Sequence, residues 1–357
     1  MYPQLRIDLN KLTHNANSLL NLCEENGISM AAVTKVFCAD PKMVEALCDL
    51  PLAFLADSRL ENIESYPKNR KARTLLLRLP SPSEALRTVK CCDVSLNSEL
   101  ATLKLLSEAA ESIGVTHGVI LMVDLGDLRE GIYHKDKDLL FETAEFILSQ
   151  KHLKLEGLGV NLTCVGSVMA TPANMQQLCD IAAEIESRFD IKLDIISGGN
   201  SSSLYLLERG EMPKGINNLR LGESLACGLE TAFGEPFMDL KQNVITIAAE
   251  IIELQVKPSM PEGELGMNAF GEKPVYIDNG IRKRAILALG RQDVKTHENL
   301  ECLELGVEMI ESSSDHLLID VTDAKRDLRV GDVVEFALSY GGVLAGFTSK
   351  YVAREYI

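Results

Sequence analysis

The chain has 357 residues, 46% hydrophobic and 25% charged, a composition that excludes disordered and collagen-like classes. Its 36 basic and 52 acidic residues give a net charge of −16, which repels phosphate backbones and speaks against nucleic acid as a partner. No run of 18 uncharged apolar residues is present, so no membrane partner is expected.

Met1 to Lys11 lacks the basic start and apolar run of a secretory signal, so a cytoplasmic protein with nine reduced cysteines is expected. At roughly 150 residues per domain the length suggests two domains; a barrel of about 250 residues plus a smaller unit fits equally well.

The first segment, Leu9–Asn26, reads as a helix. Short apolar runs then alternate with amphipathic stretches. The strand candidates are Met30–Val36, Ala53–Asp57, Arg73–Leu79, Cys92–Leu96, His117–Asp124, Leu155–Asn161, Leu193–Ser197 and Asn218–Leu221. Most are continuous rather than alternating, as in strands buried on both faces. The helix candidates between and after them are Asp40–Leu50, Ser58–Tyr66, Ser81–Val89, Asn97–Ile113, Asp136–Gln150, Thr171–Phe189 and Ser201–Arg209. Eight such units predict an α/β fold, a (β/α)8 TIM-type barrel over residues 1–235; an open doubly wound sheet fits the regularity less well.

After Gly234-Glu235-Pro236 the texture changes. Val244–Gln255, Val275–Asp278, Ala285–Leu289, His316–Val321, Val333–Leu338 and the tail read as strands of a smaller C-terminal β domain, residues 236–357.

In such a barrel, chemistry sits where strands end. Strand one ends in Thr34-Lys35-Val36, and a lysine following Met-Ala-Ala-Val is seldom buried without reason. It reads either as a rim lysine paired with an acid or as an amine whose pKa burial lowers, as carbonyl condensation requires. Strand five runs into Asp124-Leu125-Gly126-Asp127-Leu128-Arg129-Glu130-Gly131, where Arg129 offers a planar fork of donors; a solvated loop is the plainer reading.

Strand six ends Asn161-Leu162-Thr163-Cys164 with uncharged polar groups at the rim. Strand seven leads into Gly198-Gly199-Asn200-Ser201-Ser202-Ser203, either a serine-rich helix cap or an anion cradle. Strand eight ends Arg220-Leu221-Gly222-Glu223. Loops seven and eight form the usual barrel phosphate site. A lysine opposite such a cradle implies a phosphorylated aldehyde, pyridoxal 5′-phosphate. The six histidines and nine cysteines show no metal-ligand spacing and no C-x-x-C pair, so no metal is expected.

These segments, with Tyr2-Pro3-Gln4-Leu5, Leu55-Ala56-Asp57-Ser58-Arg59, Gly280-Ile281-Arg282-Lys283-Arg284 and Ser339-Tyr340-Gly341-Gly342, resemble over the full length the alanine racemase-like, fold type III pyridoxal phosphate enzymes, most nearly the members that act on ornithine. The resemblance implies that Lys35 carries the cofactor and acts in catalysis. It further implies that Arg129 meets both cofactor and substrate carboxylate, that Asn200, Ser201, Gly222, Glu223 and Tyr340 hold the phosphate, and that Arg220 donates to the ring nitrogen. Ser314 and Asp315 fall in the loop that crosses a dimer interface to the substrate, so a homodimer and an amino acid substrate are expected. The same likeness implies that Leu5–Leu9 joins the β domain as a strand.

The chain departs from the pattern in places. Ala39 stands where these racemases have a tyrosine, and Gly266–Gly271 lacks the tyrosine that serves as second base. The family histidine after strand six corresponds to Cys164 or its neighbour. Tyr276, Asp315, Cys164 and Asp278 are the candidates for the second base. Alternatives to ornithine racemisation are a racemase for lysine, arginine or alanine, a decarboxylase, or a cofactor-binding homeostasis protein. The last usually lacks a second domain.

Overall fold

The computed structural model describes residues 1–267, 270, 271, 273 and 275–357. The chain divides into two compact units, Lys11–Gln242 and the pair Met1–Asn10 with Asn243–Ile357.

The first unit is built on eight parallel strands: Ser29–Val33, Phe54–Asp57, Arg73–Leu76, Val94–Asn97, His117–Asp124, Leu153–Gly159, Ile195–Ser197 and Asn218–Leu221. Each pairs with the next, and the eighth returns to the first, with Leu219 opposite Met30 and Leu221 opposite Ala32. The sheet is therefore a closed TIM-type barrel. Its inside is filled by side chains from several strands, among them Val33, Phe54, Leu75, Leu96, Ile120 and Met122. Apolar residues on the outward faces pack under the surrounding helices, which is why the strand runs do not alternate.

Local chemistry sets the helix ends. Asp40 accepts from the amides of Lys42 and Met43, with Pro41 at the first helical position of Pro41–Cys48. Thr171 and Asn174 form a reciprocal capping box on Pro172–Phe189. Gly114, at φ +70°, ends Leu100–Ile113 in the left-handed region that suits glycine.

The first strand stops at Val33, earlier than the expected Val36. The buried Thr34 hydroxyl bonds Asp57 and Tyr66, and Lys35–Phe37 then form a turn of 3₁₀ helix. Lys35 consequently leaves the barrel rim on a turn rather than within a strand.

The second unit is a largely antiparallel sheet. Its central strand, Ile245–Pro258, lies between Val333–Leu338 and Ile281–Leu287, and the latter continues to Leu317–Asp320 and Glu308–Ser312. Leu300–Cys302 pairs with Val333–Leu338. The N-terminal strand Gln4–Ile7 belongs to this sheet, antiparallel to Ile245–Ala248 and parallel to Ala353–Tyr356.

Two sequence expectations fail here. Val275–Asp278 forms no strand: Asp278 accepts from the Gly280 amide and from Ser259, bending the chain, and Val275 is 93% exposed. The tail is not all strand either. Tyr340–Thr348 is a helix capped by Ser339, whose hydroxyl accepts from Gly342. Three glycines within it depress helix propensity and hide the period.

Candidate active site

Asp57 closes its barrel strand, and Lys35, Arg129, Asn161, Ser201 and Gly222 all follow the C-terminal ends of theirs. They occupy the barrel face on which such enzymes build their sites.

Lys35 is half-buried. Burial, and then the positive charge of Arg129, hold its ammonium below the ordinary lysine range, against the opposing pull of Cys164, Asp57 and Glu130. The amine is thus more readily neutral and nucleophilic than a surface lysine. The ground beneath it is rigid. Thr34 donates to Asp57 Oδ2 at 2.6 Å and meets Tyr66 Oη at 2.7 Å. The Arg59 amide and Asn62 Nδ2 both donate to Asp57 Oδ1 at 3.0 Å. Burial nonetheless pushes the Asp57 carboxyl up, as it does that of Glu223, on which the charge of Lys35 acts in the opposite sense.

Arg220 lies inside the barrel, 3% exposed. Its Nη2 donates to Val160 O at 2.6 Å and to Asn161 Oδ1 at 2.8 Å, and Nη1 donates to Ser197 Oγ. Burial lowers its pKa to about 10, so it remains a cation at neutral pH. Gly159 nearby makes room for Met122 and Ile120: a Cβ there would stand 2.9 Å from Met122 Sδ and 3.1 Å from Ile120 Cγ2. Asn161 Nδ2 in turn donates to Glu130, and Glu130 takes both Nε and Nη2 of Arg129. Burial opposes the charge of Glu130, but the Arg129 fork outweighs it and keeps the carboxyl below the usual range.

The loops after strands seven and eight meet at Ser201. Its Oγ accepts from the amides of Ser224 at 3.2 Å and Gly222 at 3.4 Å and lies 3.0 Å from Ser224 Oγ. Asn200 caps the Ser202 amide and donates to Leu162 O, so its side chain braces the loop. Ser202 Oγ is buried without a hydrogen-bond partner. A buried unpaired hydroxyl suits an anion that supplies the missing acceptor. A primary amine of lowered pKa and this cradle, on one barrel face, are the two ends that pyridoxal phosphate needs, and the residues present fit it.

A clamp shapes the loop after strand six. The buried Asp127 accepts from the amides of Cys164, Val165 and Val168. Gly166 is required there, because a Cβ would stand 2.6 Å from Asp127 O. Cys164 is exposed at this rim, with Asn200 Nδ2 at 3.8 Å from its sulfur. The remaining sequence candidates belong to the second unit. Tyr340 opens its helix. Ser314 and Asp315 sit in the turn before Leu317–Asp320, where Gln292 donates to Asp315 at 2.7 Å and to the Ser314 carbonyl. Tyr276 and Asp278 follow the central strand. Of the stretch 266–271, residues 268 and 269 lie outside the described residues; the ring of Phe270 stacks under Arg291 at 3.7 Å. Among the described residues no cluster suited to a metal ion occurs.

Sequence reading named neither Glu130 nor Ser202 as a functional residue, and it left Asn161 as an unspecified polar rim group. A charged side chain adjacent to Arg129 in sequence carried no sign that it would fold back on that arginine.

Residues 7–228 match the family model described as alanine racemase, N-terminal domain. The chain belongs to the alanine racemase family. As a member it is a pyridoxal phosphate-dependent racemase. It is 46% identical over 355 residues to ornithine racemase of Acetoanaerobium sticklandii, covering 99% of both chains. It is 37% identical over 358 residues to lysine racemase of Thermotoga maritima, covering 100% of this chain and 99% of the other. Among solved structures, the alanine racemase of Bartonella henselae with covalently bound pyridoxal phosphate superposes with a TM-score of 0.74 at 16% identity, covering 99% of each chain. That likeness bears on the fold of the racemase.

Proposed function

We propose that this racemase interconverts L- and D-ornithine, acting in the cytoplasm as a homodimer. Its near full-length likeness to an ornithine racemase supports the substrate. The likeness to a lysine racemase makes lysine the second reading.

Lys35 is the residue that carries the cofactor. When bound, pyridoxal phosphate supplies an aldehyde that condenses with amines and a conjugated ring that accepts electrons. Ser201 and the backbone of Gly222 and Glu223 would hold the phosphate, with Asn200 bracing the loop. Arg220 would donate to the ring nitrogen, and because its guanidinium stays protonated it would meet that nitrogen as a donor only. Arg129 binds the substrate carboxylate and so fixes which way the α-hydrogen points.

Lys35 Nζ then takes that proton from one face, or returns it there. Burial lowers the pKa of the amine, so it is neutral and able to accept a proton at lower pH than a surface lysine. Racemisation requires a second group on the other face, and Cys164, Tyr276, Asp278 and Asp315 are the candidates. Ser314 and Asp315 of a second copy complete the substrate site, which makes the dimer the active form.

The test is incubation of the cofactor-loaded protein with L-ornithine in D₂O, followed by chiral separation and mass analysis. D-ornithine bearing one deuterium at Cα is expected. Release of CO₂ would instead identify a decarboxylase, and turnover of lysine alone would move the substrate to the second reading.

A further inference from the structure

Glu130 has no role in the chemistry above, yet it occupies a central place in the mouth. Its side chain is 13% exposed, whereas its partner Arg129 is 36% exposed. An ordinary surface ion pair exposes both members and contributes about 0–1 kcal/mol. A carboxylate this covered is costly unless its oxygens are bonded. Here they are: Oε2 accepts from Arg129 Nε, and Oε1 accepts from Arg129 Nη2 and from Asn161 Nδ2.

The second partner decides the reading. Asn161 has a carboxylate on one side and the Arg220 guanidinium on the other, so its amide has only one satisfactory orientation, Nδ2 to Glu130 and Oδ1 to Arg220 at 2.8 Å. A continuous chain of hydrogen bonds therefore runs Arg129, Glu130, Asn161, Arg220. Its two ends come from different strands, five and eight. Arg129 also has two edges able to grip a carboxylate. Glu130 takes the Nε–Nη2 edge, which leaves the Nη1 end for another anion.

We propose that Glu130 and Asn161 are one positioning unit: Glu130 aims the Nη1 end of Arg129 at the substrate carboxylate, and Asn161 ties that anchor to Arg220, so that carboxylate binding and the contact with the cofactor ring are held as a single body. The proposal rests on the racemase reading for the roles of the two arginines. Charged and titratable groups that share this space are Lys35, Cys164 and Asp127, whereas the side-chain hydrogen bonds of Glu130 go to Arg129 and Asn161. Glu130 is thus the carboxylate that both holds Arg129 and reaches toward Arg220.

The experiment compares pyridoxal phosphate-loaded wild type, E130Q, E130D, N161A and the E130Q/N161A double variant. The readouts are the visible absorption band of the bound cofactor, its dissociation constant by titration, and KM and kcat for ornithine. E130Q is expected to raise KM at least tenfold with a smaller change in kcat, and E130D to recover part of that loss. E130Q and N161A are expected to shift the absorption band in the same direction. The double variant should shift it no further than the larger single change, because the two residues act together. Bands unchanged in both single variants, or shifts that simply add, would overturn the proposal. E130D keeps the carboxylate and serves as the folded reference should E130Q fail to fold. If the wild type binds the cofactor but does not turn over ornithine, the substrate reading fails while the absorption and affinity data still decide the positioning unit.

Discussion

Thr34 and Asp57 are joined by a 2.6 Å hydrogen bond that ties the ends of the first two barrel strands together one residue before Lys35. Both residues are fully buried. The strand-to-turn change at Thr34 is therefore braced where the reactive amine departs.

Replacing Thr34 by Val removes that donor and leaves Asp57 with an unmet acceptor in a buried site. A destabilisation of about 1–3 kcal/mol is expected from such a loss, read as a lower midpoint in urea denaturation. Thr34→Ser should restore most of it. An unchanged midpoint for the Val variant would show that the bond does not brace the strand end.

The lowered pKa of Lys35 has a consequence for the cofactor-free protein. Its ammonium is disfavoured in the folded state, so the unfolded chain binds the extra proton. Stability is then lost as pH falls through the folded pKa, and the penalty vanishes above the usual lysine range. Lys35→Met removes the group. The cofactor-free variant should be more stable than wild type at neutral and acidic pH, with the gap closing as pH climbs past the ordinary lysine value. Thermal melts across that range measure it, and a gap independent of pH would contradict the burial of the charge.

Ser202 separates cofactor binding from folding. Its hydroxyl is buried and unpaired, so Ser202→Ala gives up no bond in the cofactor-free protein. Stability without cofactor should stay within about 1 kcal/mol or rise, whereas affinity for pyridoxal phosphate should fall at least fivefold. Ser201→Ala differs, since its oxygen accepts from two backbone amides and its loss should lower stability as well. Equal behaviour of the two variants would remove Ser202 from the cradle.

Much of this arrangement was legible in the sequence for physical reasons. Strands buried on both faces leave continuous apolar runs, and the residues closing those runs mark the barrel mouth, which is how Lys35, Arg129, Ser201 and Arg220 stand out. What stayed hidden depends on side-chain direction. Nothing in the order Arg129-Glu130 says that the carboxylate folds back on the guanidinium. Nor does Asn161 announce that Arg220, 59 residues later, reaches its oxygen. The strand expected at Val275–Asp278 failed because the Asp278 carboxylate bonds the Gly280 amide in its own turn, a competition that β propensity does not register.

The second proton carrier can be found by asymmetry. Among Cys164→Ala, Tyr276→Phe, Asp278→Asn and Asp315→Asn, one variant should lose racemisation by more than a hundredfold while still exchanging the α-hydrogen of one enantiomer with D₂O. Lys35 remains to serve its own face in that variant. Near wild-type racemisation in all four would exclude the whole set.

The most direct measurement is borohydride reduction of the cofactor-loaded protein, followed by proteolysis and mass mapping of the pyridoxyl label. One label per chain on Lys35 is expected, and none on Lys35→Ala treated in the same way. A label on any other lysine, or no label after saturation with pyridoxal phosphate, would contradict the assignment of Lys35 as the residue that carries the cofactor.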